Sequence, residues 1–138
     1  MGRLATTVNA GATYFAVVFV LGFALGVLRV FVLAPEVGEL GAVALELPVM
    51  LLASWMACGV LVDWFDVDPG FGDRAIMGGV AFVLLLAAEA GLSLATGRSI
   101  GQHFATFADS AAQLGLMGQI AFALFPLIQG AWPTVSRS

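Results

Sequence analysis

Four ionisable residues, Arg29, Glu46, Glu89 and Arg98, stand in or beside stretches that are otherwise apolar. At membrane depth each such group costs several kcal/mol unless it is paired, so a residue of this type there has a job. Two positive and two negative charges at similar depth define a neutral network, and two roles follow from its chemistry. Arg29–Glu46 and Arg98–Glu89 can be ion pairs that fix helix register and close a bundle. Alternatively, Glu46 or Glu89 titrates, carries a proton, or holds a cation or polar substrate. The structural role is the preferred one. A conduction path needs polar groups through the whole membrane thickness, and the other half offers only Thr13, Ser54, Cys58 and Gln129. Gln119 lies at a depth from which it reaches Glu89, and Glu36 and Glu39 extend the rim of the network.

The elements that position these residues are read from composition. Of 138 residues, 61% are hydrophobic and 10% charged, with a mean hydropathy of +1.04. A soluble domain carries roughly 25% charged residues, so the solvent of this chain is lipid. A hydrocarbon core about 30 Å thick needs on the order of 20 apolar residues per helix. Four stretches qualify, at about 12–33, 42–62, 74–96 and 112–132. The expected fold is therefore all-α: four transmembrane helices in an up-down antiparallel bundle, one domain spanning 1–138. Counted from the span ends at about 1.5 Å per residue, Arg29, Glu46, Glu89 and Arg98 fall within roughly 5–15 Å of one surface.

Punctuation refines this layout. Pro35 is expected to close the first helix, Pro69-Gly70 to turn the chain, and Pro126 to kink the fourth span. Gly22 and Gly26 allow another helix to approach closely, inside the bundle or across to a partner. Between the third and fourth spans, Ile100, Phe104, Phe107 and Ala111 recur on one helical face, which predicts a short interfacial helix. The apolar run after Arg3 exceeds the roughly 7–15 residues of a signal-peptide core, so the first span is expected to remain uncleaved.

All five basic residues are arginines, and the net charge is −4. With no basic run to grip phosphate, no nucleic-acid partner is expected. Arg3, Arg74 and Arg137 fall on one side of the membrane and Arg29 and Arg98 on the other, which favours cytoplasmic termini by three to two. Tyr14, Trp64 and Trp132 stand near the cytoplasmic boundary, as an aromatic belt would. The lone Cys58 leaves no disulfide within the chain and reads as a packing residue. His103 has the chemistry to ligate a haem or chlorophyll-like pigment. A single interfacial histidine is more often a solvated group, so no cofactor or metal is expected. The patterns of nucleophilic, metal-dependent and phosphate-binding enzymes are missing from the sequence.

Gly26-Val27-Leu28-Arg29 followed by Pro35, and Glu46-Leu47-Pro48-Val49-Met50 with Ser54-Trp55, resemble an uncharacterised group of small four-helix inner-membrane proteins of proteobacteria. Ala88-Glu89, Gly97-Arg98-Ser99 and Phe122-Ala123-Leu124-Phe125-Pro126 extend the resemblance over most of the chain. It implies a multi-pass protein of the bacterial inner membrane and the same Arg and Glu positions, and it implies no activity. The expected function is non-enzymatic: an accessory or self-associating subunit that packs against other membrane helices or its own copies. The alternative is a small oligomeric transporter, or a proton- or cation-coupled carrier, using Glu46 and Glu89.

Overall fold

The computed structural model describes residues 2–97, 99–105 and 108–131. In chain order these form α1 (Gly2–Leu28), a π-helical turn (Arg29–Leu33), α2 (Ala34–Phe65), α3 (Phe71–Ala95), α4 (Ile100–Ala105) and α5 (Ser110–Ala131). Among the described residues there is no strand. Three helical runs are long and apolar enough to cross a membrane: Gly2–Phe65, Phe71–Ala95 and Ala112–Ala131.

The first run has 64 residues, about 96 Å at 1.5 Å per residue and some three times the hydrocarbon thickness. It is not straight. Gly38 has φ 79° and ψ 167°, a conformation essentially restricted to glycine, and it breaks α2 internally. Residues on its two sides then face one another: Arg29 meets Glu46, and a Cβ placed on Gly22 would lie 3.4 Å from Met50 Cε. The break therefore falls at Gly38 and not at Pro35. Pro35 sits in the first turn of α2, where a missing N–H costs little. The wider π turn just before it, with Ala34 N–H on the Arg29 carbonyl, shifts the ladder and lets helix continue past the proline.

Neighbouring helices are chosen by close-packing glycines. Helix α1 packs on α2 and α3, and α5 packs on α2 and α3. The consecutive helices α2 and α3 do not pack on each other, so the expectation that every consecutive pair lies side by side does not hold for them. Gly11 brings α1 against α3, where an added Cβ would stand 2.7 Å from the Met77 carbonyl oxygen. Gly78 brings α3 against α5, and a Cβ there would overlap the Ala123 carbonyl.

The core at these crossings contains Ala10, Tyr14, Cys58, Val62, Met77 and Phe122. Outward-facing Val20, Phe31, Leu52, Val60 and Val83 are exposed. An apolar skin around an apolar core is what a lipid solvent permits and water does not.

Tyr14 is completely buried, which removes it from the expected boundary belt. Its ring stacks on Phe122 at 4.3 Å, and its hydroxyl donates to the Phe122 carbonyl at 2.7 Å. Trp64 is exposed, and Trp132 lies outside the described residues. The six-residue α4 occupies the place expected for the interfacial helix, while Phe107 of its predicted apolar face lies outside the described residues.

Candidate functional site: an intramembrane cavity flanked by two polar pairs

The Gly38 break and the preceding π turn put Arg29 and Glu46 side by side. Arg29 Nη1 donates to Glu46 Oε2 at 2.8 Å, with 31% of the arginine side chain and 11% of the glutamate side chain accessible. Desolvation makes such a pair costly to break, because either partner alone is left as an uncompensated charge. From the opposite helices, Gln119 of α5 donates its Nε2–H to Glu89 Oε1 of α3. The same amide's Oε1 is buried with no hydrogen-bond partner.

Between these pairs lies a cavity of about 470 Å³, with Arg29, Glu46, Glu89 and Gln119 all on its wall. The rest of the wall is apolar and includes Phe19, Met50, Leu85 and Phe122, together with the small Ser54. A volume of 300–1,000 Å³, mostly apolar with a few convergent polar groups, is the usual form of a small-molecule site. The space exists because side chains are missing. A Cβ on Gly115 would meet nothing within 4 Å, and one on Gly26 would meet only Arg29 Nη2 at 3.8 Å. At Gly118, by contrast, the equivalent space is filled by Leu47. Gly22 and Gly26 line this cavity, so this glycine pair faces into the fold.

Glu36 and Glu39 are exposed in the first residues of α2, and the structure does not bring them to the cavity wall. Arg98 lies outside the described residues, as does the side chain of His103. Among the described residues no group of three or more His, Cys, Asp or Glu is placed to hold a metal ion.

The opposite end of the molecule is held differently. Arg74, at the start of α3, is 1% exposed and spends its guanidinium on backbone. Nε donates to the Asp68 carbonyl at 3.1 Å, Nη1 to Pro126 at 3.1 Å and Nη2 to Val67 at 3.3 Å. This ties the α2–α3 connection to α5. Arg3 pairs with Asp73 at 2.7 Å and with Asp68 at 3.3 Å in an exposed cluster of the sort that contributes little to stability.

Sequence reasoning counts Arg74 only toward topology and does not find the cavity or the Tyr14 bond. Pro126 is the available signal for the last of these, since a helical proline leaves the carbonyl four residues earlier without its donor. Chemically, the site offers hydrogen-bond donors and carboxylates at the edge of an apolar space. No protein family matches the chain, and neither does any curated protein or solved structure.

Proposed function

We propose that this chain is a non-enzymatic protein of the bacterial inner membrane that binds a small lipophilic molecule in the cavity between Arg29–Glu46 and Glu89–Gln119. In this reading the chain crosses the bilayer four times, with its termini cytoplasmic and the Gly38 reversal near the outer surface. The observation that carries it is the cavity itself: about 470 Å³, apolar over most of its wall, and bordered by five polar side chains, Arg29, Glu46, Ser54, Glu89 and Gln119. The pocket is partly open, with Phe23, Val30 and Phe31 on its lining exposed, so a molecule from the bilayer can reach the polar groups. The glycines weigh in the same direction, since Gly22 and Gly26 line this pocket and leave its space open. Carrier action would use the same site, with the bound molecule exchanged between membrane leaflets.

The test is extraction in native lipid particles followed by mass spectrometry of bound small molecules, for the wild type and Gly115→Leu. The leucine grows into open space, so the variant is expected to fold and to lose the bound molecule. Equal occupancy in both proteins, or an empty wild type that takes up no lipophile, would overturn the reading.

A further inference from the structure

The polar wall of the cavity selects among lipophiles, and resting on the binding role proposed above, we infer that the ligand is a neutral molecule carrying a carbonyl oxygen on an apolar body, its oxygen accepting from Arg29. A guanidinium carries five N–H donors in a fixed fork. Among the described residues Glu46 is the one hydrogen-bond partner of Arg29, through Nη1. The remaining donors are at membrane depth, where an unsatisfied polar group costs free energy that an acceptor recovers. Nη2 stands 3.8 Å from where a Cβ on Gly26 would lie, and both residues line the cavity.

Charge narrows the class. Arg29 and Glu46 already neutralise each other at 2.8 Å. An anionic head drawn to Arg29 would bring a second negative charge against Glu46, with Glu89 on the same wall. A cationic head drawn to Glu46 would stand against Arg29, 2.8 Å from that carboxylate. An added charge also loses its own hydration on entering an apolar wall, a cost that a neutral head does not incur. A carbonyl oxygen accepts from the guanidinium without adding net charge. The apolar wall formed by Phe19, Met50, Leu85 and Phe122 then takes the rest of the molecule. Prenylated quinones and neutral acyl esters are molecules of this class.

The experiment measures equilibrium binding of three chain-matched probes to the full protein in lipid nanodiscs. The probes are a decyl-substituted benzoquinone (neutral, with carbonyls), decylbenzene (neutral, without) and decanoate (anionic). The expected result is saturable binding of the quinone, with the other two weaker by roughly tenfold or more, the worth of a hydrogen bond to a charged group. The double variant Arg29→Gln/Glu46→Gln removes both charges together and leaves no orphan. The amide remains a weaker, neutral donor, so the variant is expected to lower quinone binding several-fold, toward the decylbenzene level, without changing decylbenzene binding. If quinone and decylbenzene bind alike to the wild type, or decanoate binds best, the carbonyl inference is wrong while the binding site stands. If no probe binds and Gly115→Leu changes nothing, the binding role itself fails. The probe comparison needs no variant, so it decides the point even where the double variant does not fold.

Discussion

The hydroxyl of Tyr14 donates to the carbonyl oxygen of Phe122 across 108 residues of sequence, at 2.7 Å. That carbonyl is the one left without its helical donor by Pro126, four residues on. In lipid an orphaned backbone carbonyl finds no water, so a side chain of another helix must serve it. Tyr14→Phe keeps the ring stacked on Phe122 and removes only this bond, and we expect a loss of about 1–3 kcal/mol in reversible unfolding. Pro126→Ala restores an N–H to the ladder, so Tyr14→Phe in that background should lose at most half as much. Equal losses in both backgrounds would show that the tyrosine does not stand in for the proline's missing donor.

Arg74 makes a second prediction about satisfaction of backbone. Two carbonyls of the α2–α3 connection, of Val67 and Asp68, accept from one buried guanidinium that also donates to the Pro126 carbonyl of α5. Arg74→Ala leaves the Val67 and Asp68 carbonyls without this donor, releases the tie to α5 and opens a void, so a loss of about 3 kcal/mol or more is expected. Arg74→Lys keeps the charge but not the planar fork that reaches three directions, and should recover less than half of the loss. Full recovery by lysine would mean that charge, and not the fork, holds the α2–α3 connection to α5.

These two contacts show where sequence reading stops. Counting residues along an apolar helix measures depth, and depth suffices to set Arg29 level with Glu46 and Gln119 level with Glu89. It does not say which helices are neighbours. In a soluble bundle an apolar stripe marks the inward face; here every face is apolar, so no stripe separates core from lipid. The absence of packing between α2 and α3 is therefore invisible in the sequence. So is the cavity, which depends on what faces Gly26 and Gly115 and not on the glycines themselves. Tyr14 misleads for a related reason: tyrosine favours the membrane boundary, yet this one is buried against a partner supplied from α5. Pro35 is a legible breaker that a π turn absorbs, leaving the break to Gly38 three residues later.

Alanine at the glycines should sort them by what stands opposite. At Gly78 an added Cβ overlaps backbone at Ala123, and at Gly130 it would stand 2.8 Å from the Pro69 carbonyl oxygen and 2.9 Å from Arg74 Cγ. Backbone cannot step aside as a flexible side chain can, so Gly78→Ala and Gly130→Ala are each expected to lose about 1–3 kcal/mol. Gly115→Ala meets nothing within 4 Å and should be neutral, or gain up to about 1 kcal/mol from reduced freedom of the unfolded chain. Thermal or denaturant unfolding of the three variants side by side gives the ranking, and a Gly115→Ala as damaging as Gly78→Ala would contradict the packing described.

Gly38 separates conformation from contact. A Cβ there also meets nothing within 4 Å, so any penalty for a side chain comes from the backbone alone, at φ 79° and ψ 167°. Gly38→Ala should therefore lose about 1–3 kcal/mol, the usual cost of holding an L-residue in a glycine-only region. A D-alanine introduced at the same position by chemical ligation places the same methyl group on the opposite hand, for which positive φ is the relaxed choice. It should be tolerated without loss and even gain a few tenths of a kcal/mol. Both variants add one methyl, so the change in side-chain volume cancels between them. Equal stability of the L- and D-alanine proteins would remove Gly38 as the point where α2 breaks, and with it the geometric reason that Arg29 stands beside Glu46.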